Sequence, residues 1–135
     1  MVKLVILRGL PDSNKDEIVK TQYPDYVHLE TDMFFTLNGI YFYDKTKVPA
    51  AHKWCQEQVF KNLEEGKNVI VTNTFVKQWE ITPYLIMSRN VGADIEVVVA
   101  SGKGNNKTNV PQDVIDRMNS AWEDYNLVEA IKQLG

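Results

Sequence analysis

The strongest chemical motif in the chain covers residues 9–17, which read Gly-Leu-Pro-Asp-Ser-Asn-Lys-Asp-Glu. They approach the phosphate-binding loop pattern G-x-x-x-x-G-K-[ST], in which backbone N–H groups surround phosphates, the lysine neutralises charge and the hydroxyl holds Mg²⁺. Gly9 and Lys15 stand at the required spacing, but Asn14 occupies the second glycine and Asp16 occupies the hydroxyl position. The motif therefore indicates where a phosphate site would lie and leaves open whether it works.

Acidic residues crowd this motif. Asp12 places a carboxylate inside the loop, and Asp16 and Glu17 add two more directly after Lys15. At a separation of about 4 Å, two like charges repel by on the order of 4 kcal/mol when the effective dielectric constant is about 20. Such a loop is poorly suited to several phosphate charges, although Asp16 could bind Mg²⁺ directly because carboxylates are ordinary ligands of hard cations.

Alternating strands and helices are predicted to position the motif. Continuous apolar runs predict buried strands at residues 2–7, 26–30, 68–72 and 94–100. Apolar residues at helical spacing predict helices at residues 15–22, 46–65, 78–90, 111–125 and 127–134. Since strands that alternate with helices form parallel βαβ units, the chain is predicted to be a three-layer α/β protein with a parallel sheet of about four strands.

The carboxyl edge of this sheet is the predicted site, because ligands of open α/β sheets bind beyond the carboxyl ends of the strands. The polar segments expected there are residues 9–15, Thr31-Asp32, Asn73-Thr74, and residues 101–109 with Lys103 and Lys107. Their convergence predicts a functional site more strongly than any one of them does.

The connection between the second and third strands carries two further predictions. Asn38-Gly39, flanked by aromatic residues at 34–35 and 41–43, predicts a β-hairpin. The aromatic side chains are interpreted as core or partner interface, with base stacking as the alternative. Thr46 is predicted to cap the next helix.

Composition limits the class of protein. A length of 135 residues with 44% hydrophobic and 24% charged residues predicts one soluble globular domain over residues 1–135. A net charge of −3 favours neither a general nucleic-acid binder nor an acidic mimic, so a nucleic-acid ligand is open but not indicated. No apolar run approaches the roughly 18 residues of a membrane span, and the apolar N-terminal stretch is too short for a signal peptide.

Cysteine and histidine are sparse. Cys55 is alone, which predicts a buried helical thiol rather than a nucleophile and a reducing, cytoplasmic setting. His28 and His52 are too few and too scattered along the chain to predict a zinc site.

Several motifs beyond the loop carry a family likeness. They are Glu30-Thr31-Asp32-Met33, Gly39-Ile40-Tyr41-Phe42-Tyr43-Asp44, Ala51-His52-Lys53-Trp54-Cys55-Gln56, Val69-Ile70-Val71-Thr72-Asn73-Thr74-Phe75, Pro83-Tyr84, and Asn109-Val110-Pro111 followed by Met118 and Trp122-Glu123. Over nearly its whole length the chain resembles small P-loop kinases of the polynucleotide-kinase type, especially the NEDD4-binding-protein-2-like and phage kinase-like ATPases.

The resemblance implies a role for each matching residue. The nucleotide-binding set would be Gly9, Ser13, Asn14, Lys15 and Asp16, with Lys15 on the β- and γ-phosphates of ATP. Asp32 would be the general base that takes the proton of the acceptor hydroxyl, and Asn73 and Thr74 would hold that base or the substrate. Residues 101–109 would form the lid, in which Lys103 and Lys107 replace the cationic residue of relatives.

Three functional hypotheses follow. In the first, the chain is a catalytically impaired relative that binds a protein or a nucleotide-like ligand in the cytoplasm, or in the host cytoplasm if a phage encodes it. In the second, it is an active nucleotide or polynucleotide 5′-hydroxyl kinase that uses Lys15, Asp32, ATP and Mg²⁺. In the third, the carboxylates Asp12, Asp16, Glu17 and Asp32 serve a metal-dependent phosphohydrolase or nuclease. The replaced loop residues favour the first.

Overall fold

A computed structural model of the chain describes residues 1–36, 39–101 and 110–134. Its strands are β1 (Lys3–Arg8), β2 (Val27–Leu29), β3 (Val69–Asn73) and β4 (Asp94–Val99). Its α-helices are α1 (Lys15–Gln22), α2 (Val48–Glu64), α3 (Gln78–Val91), α4 (Gln112–Ala121) and α5 (Leu127–Leu134). Two 3₁₀ helices, Thr31–Thr36 and Lys45–Lys47, lie between β2 and α2.

The four strands form one parallel sheet in the order β2-β3-β1-β4. In the middle of this sheet, Leu4 of β1 pairs with Val69 of β3 and with Ile95 of β4. Parallel strands of this kind need a crossover helix between them, which α1, α2 and α3 provide. The predicted α/β architecture with a four-stranded parallel sheet is therefore confirmed.

Both faces of the sheet are buried. Along β1, Leu4 and Ile6 belong to the core that includes residues of α2 and α3, whereas Val5 and Leu7 belong to the core that includes Val19 of α1. All four β1 side chains have no exposed surface, which explains why the strand reads as a continuous apolar run. Within the described ranges, none of the helices is long and apolar enough to cross a membrane.

The predicted hairpin is wrong for the residues that the structure describes. Phe34 and Phe35 lie in the 3₁₀ helix, and residues 40–44 have no strand conformation; Asn38 lies outside the described residues. The reason is aromatic packing: the buried Phe35 ring contacts the rings of Tyr41 and Tyr43, with centroids 6.5 and 5.2 Å apart. This packing folds the segment onto Phe35 instead of pairing two strands.

Two predicted helix ends also differ from the structure. Thr46 does not cap α2, because the residue before that helix is Lys47, whose side chain makes no capping hydrogen bond. Asp44 instead caps the preceding 3₁₀ helix and accepts a hydrogen bond from the Thr46 N–H at 2.9 Å. Helix α4 ends at Ala121 instead of residue 125, because Trp122 leaves the helix and its ring stacks on the guanidinium of Arg8, 3.9 Å from the ring centroid. Trp79 lies in the first turn of α3, outside the core, and is 67% exposed.

Candidate functional site

The loop between β1 and α1 has the backbone of a glycine-containing turn without the glycine. Asn14 adopts φ 64° and ψ 31° immediately before α1, and Asp12 has φ 68°. Asparagine and aspartate enter this left-handed region more readily than other side-chain-bearing residues. Asn14 therefore preserves the turn that the second glycine of the pattern would make, as expected for an asparagine at that position.

Gly9 is the position at which the loop cannot accept a side chain. A Cβ atom there would lie 2.5 Å from Ser13 Oγ and 2.8 Å from the Ala100 carbonyl oxygen. Ser13 is buried, and its hydroxyl donates to the Leu10 carbonyl at 2.7 Å. The first glycine of the pattern thus serves the close approach of the loop to the end of β4.

Lys15 is folded onto the loop itself. Its ammonium donates to the carbonyls of Gly9 at 2.7 Å and Leu10 at 2.9 Å, and it lies 3.3 Å from Ser13 Oγ. Burial lowers the pKa of Lys15, and the carboxylates of Glu30 and Asp16 oppose that shift. The lysine predicted to bind phosphate is therefore half-buried, bound to loop oxygens and surrounded by acids.

Both of those acids lie close to the imidazole of His28. Asp16, His28 and Glu30 each bring one donor atom within 4.8 Å of the other two. His28 Nε2 lies 2.7 Å from Thr72 Oγ1, and that hydroxyl donates to Glu30 Oε2 at 3.1 Å. Burial lowers the pKa of His28 and raises the pKa of Glu30, where the Thr72 hydrogen bond opposes the rise and the Asp16 charge adds to it.

Asp32 begins the segment that follows β2 and is exposed at the carboxyl edge. The Asn73 side-chain oxygen accepts a hydrogen bond from the Thr31 N–H at 2.9 Å, which joins the end of β3 to the residue before Asp32. The Tyr41 hydroxyl donates to Asp32 Oδ1 at 3.5 Å. Asn73 therefore supports the backbone next to Asp32, and its role toward a base or a substrate stays a prediction.

The remaining predicted residues are less defined. Thr74 follows Asn73 and is half-buried, and no contact assigns it a role. Lys103 and Lys107 lie outside the described residues, so their placement over the loop stays a prediction. Asp16 is exposed in the first turn of α1, where a carboxylate is also favoured by the helix dipole.

Sequence reasoning missed the roles of four residues next to the site. His28 and Glu30 are two positions apart on a strand, so their side chains share a face, and Thr72 on the neighbouring strand joins them. Arg8, fully buried below Gly9, donates to the carbonyls of Phe75 at 2.6 Å and Glu123 at 2.7 Å. The alternation of side chains between the two faces of a strand was the signal available for His28 and Glu30. No local pattern in the sequence points to the partners of Arg8.

The carboxyl edge thus combines a phosphate-type loop, an exposed carboxylate and a partly buried polar cluster. Comparisons with known proteins identify the family of the chain. The chain belongs to the AAA domain family AAA_33, whose model matches residues 4–102. NEDD4-binding protein 2 of Homo sapiens is 37% identical over 90 residues, which are 64% of this chain and 5% of that protein.

Solved structures share the fold at low sequence identity. A chain of the Pnkp1/Rnl/Hen1 RNA repair complex matches with a TM-score of 0.61 and 19% identity, over 98% of this chain and 42% of that one. A gluconokinase from Sinorhizobium meliloti 1021 matches with a TM-score of 0.56 and 14% identity, over 90% of this chain and 75% of that one. The chain therefore has the P-loop kinase fold, which it shares with these structures.

Proposed function

We propose that this chain is a P-loop kinase-like domain that acts by binding and carries out little ordinary ATP-dependent phosphoryl transfer. The observation that supports this most is the charge around Lys15. Its ammonium is bound to Gly9 O and Leu10 O, and Glu30 and Asp16 are the acids close enough to influence it. Phosphoryl transfer depends on positioning and on neutralising phosphate charge, and this loop offers a surplus of negative charge instead.

Each replacement in the loop acts on a separate requirement. The Asp12 carboxylate stands within the loop that would receive phosphates, and Asp16 takes the place of a neutral Mg²⁺ ligand. Asn14, by contrast, keeps the left-handed turn and costs little. The impairment proposed here is therefore one of charge, with the loop shape retained.

A protein or a nucleotide-like molecule is the proposed ligand class. Next to Asp32, residues 40–43 form an exposed apolar strip in which Ile40 is 75% and Phe42 is 76% exposed. Exposed apolar patches beside a site are typical of partner surfaces. A phage origin with a host factor as the partner stays part of the proposal, and its support is the resemblance alone.

Calorimetry with ATP and Mg²⁺ tests the impairment. The native chain is compared with a variant that restores the pattern through Asp12→Gly, Asn14→Gly and Asp16→Ser. We expect no micromolar ATP affinity in the native chain and a gain in the restored variant, since two carboxylates are removed from the phosphate path. Micromolar ATP binding by the native chain, with transfer of labelled phosphate to a 5′-hydroxyl oligonucleotide or a nucleoside, would overturn the proposal.

Active phosphotransfer is the second candidate, favoured by the placement of Asp32. Its carboxylate is exposed at the carboxyl edge, on backbone held by the hydrogen bond from Thr31 N–H to Asn73. General-base catalysis contributes about 10²–10⁴ in rate, so Asp32→Asn would reduce any transfer activity by that order. Transfer that Asp32→Asn leaves unchanged would exclude Asp32 as the base.

A further inference from the structure

The cluster formed by Asp16, His28 and Glu30 has the composition of a metal site, and the phosphate-loop pattern does not account for it. The three donor atoms all lie within 4.8 Å of one another. Asp16 stands in the first turn of α1, and His28 and Glu30 flank Leu29 near the end of β2. Two separate elements therefore direct one imidazole and two carboxylates at one point.

The distances are close to those of ligands around a single ion. His28 Nε2 and Glu30 Oε2 are 3.9 Å apart. With metal–ligand bonds of about 2.0–2.2 Å, neighbouring ligand atoms are separated by about 3–4 Å. Small side-chain rotations would bring the set to that geometry, since Asp16 is exposed.

Thr72 holds two members of the cluster in place. Its buried hydroxyl donates its proton to Glu30 Oε2 at 3.1 Å and lies 2.7 Å from His28 Nε2. Because the hydroxyl has only one proton, His28 donates its Nε2–H to Thr72 in the metal-free protein. Coordination through Nε2 therefore requires the tautomer with its proton on Nδ1, and the metal bond replaces this hydrogen bond. Outer hydrogen bonds orient metal ligands in many sites, and the hydrogen bond from Thr72 to Glu30 is in position to do so here.

We propose that Asp16, His28 and Glu30 bind one divalent transition-metal ion, with Zn²⁺ as the best-matched ion. One nitrogen and two carboxylate oxygens suit Zn²⁺ with an open position, whereas Mg²⁺ favours oxygen ligands and retained water. This site needs no nucleotide, and two of its ligands lie outside the loop, His28 in β2 and Glu30 directly after it. The proposal departs from the sequence-based expectation that the histidines are too few and too scattered to predict a zinc site, because the fold brings distant residues together.

The competing explanation is a structural network in which His28, Thr72 and Glu30 hydrogen-bond one another and Asp16 favours the helix dipole. The two explanations differ in what Asp16 does. In the network, Asp16 makes no difference to metal affinity. In the metal site, it supplies one of three ligands.

Titration of the untagged full chain with ZnCl₂ in the absence of nucleotide separates them. We expect one Zn²⁺ per chain, and Asp16→Asn should weaken its binding by at least about tenfold. Glu17→Gln is the matched control, because Glu17 is the neighbouring exposed acid of the same helix turn and lies outside the cluster. MgCl₂ in place of ZnCl₂ should bind at least about tenfold more weakly.

A second measurement distinguishes Zn²⁺ binding at His28 from binding at His52 and from a loss of binding caused by misfolding. Imidazole NMR resonances should report Zn²⁺ at His28, and His52→Ala should leave the affinity unchanged. Absence of Zn²⁺ binding, equal affinities for Asp16→Asn and Glu17→Gln, or loss of binding in His52→Ala would each overturn the proposal. Because no nucleotide is present, a failed metal titration leaves the proposed function untouched, and an ATP result leaves this one untouched.

Discussion

The loop between β1 and α1 and the polar ends of β2 and β3 face the same edge of the sheet but keep different parts of a kinase-type site. In the loop the backbone persists, because Asn14 adopts the left-handed turn of the missing glycine. The charges do not persist, because Asp12 and Asp16 stand where a phosphate loop is neutral. At the strand ends, Asp32 and Asn73 have the residue types that the resemblance implies, and the Thr31 N–H donates to the Asn73 side chain beside Asp32.

This difference teaches which replacements a fold tolerates. A backbone conformation can be supplied by a second residue type, so a glycine can become asparagine and the turn survives. A charge cannot be replaced in the same way, because a carboxylate close to the phosphates of a ligand repels them whatever the backbone conformation. The proposed function is that the loop keeps its shape and loses its phosphate chemistry, and the following experiments test the two regions separately.

Arg8 connects both regions, so its removal has the largest expected effect. Its guanidinium is bound to Phe75 O, Val76 O and Glu123 O, and the ring of Trp122 covers it. Arg8→Ala should lower the free energy of unfolding by about 3 kcal/mol, because buried carbonyls lose their charged donor. Urea denaturation followed by tryptophan fluorescence measures this.

The exposed Arg117, whose nearest carboxylate is that of Asp113 at 3.8 Å, is the control for Arg8. Arg117→Ala should change the unfolding free energy by less than about 0.5 kcal/mol. If the two variants were equally stable, the hydrogen bonds that Arg8 makes between the start of the loop and the residues after β3 would not contribute to the free energy of unfolding.

Gly9→Ala tests the loop side of the comparison. Its methyl group would collide with Ser13 Oγ and the Ala100 carbonyl, so the variant should lose about 2 kcal/mol of stability. Gly66→Ala is the matched control, because Gly66 has φ 81° and no neighbour within 4 Å of the added carbon. It should lose about 1 kcal/mol through backbone strain alone. A smaller loss for Gly9→Ala than for Gly66→Ala would contradict the close approach.

Asn73→Ala tests the strand-end side. It removes the acceptor of the Thr31 N–H and should cost about 1–2 kcal/mol. Amide hydrogen exchange should accelerate at Thr31 while the amides of β1 stay protected. Unchanged exchange at Thr31 would mean that Asn73 does not support the segment that carries Asp32.

Asn14→Gly should have the smallest effect, a change of less than about 1 kcal/mol, because both residues accept the left-handed conformation. Valine does not accept the left-handed conformation, so Asn14→Val should lower the free energy of unfolding by about 1–2 kcal/mol. Thermal denaturation of the pair decides the matter. Equal stability of the glycine and valine variants would remove the argument that the loop keeps its shape.

The sequence by itself determined the strands, most helices and the edge at which the site lies. Apolar runs and helical spacing are local patterns, and strand ends of a parallel sheet share one edge whatever the strand order. The loop spacing from Gly9 to Lys15 likewise located the phosphate-type turn. Each of these predictions depends on residues close together in the chain.

Tertiary structure alone decided the contacts between distant residues. The 3₁₀ helix replaced the predicted hairpin because Phe35 packs on Tyr43, and α4 ended early because Trp122 covers Arg8. The cluster of Asp16, His28 and Glu30 forms only when β2 pairs with β3 and α1 crosses them. Such contacts depend on packing and burial across the whole fold, which periodicity along the chain does not encode.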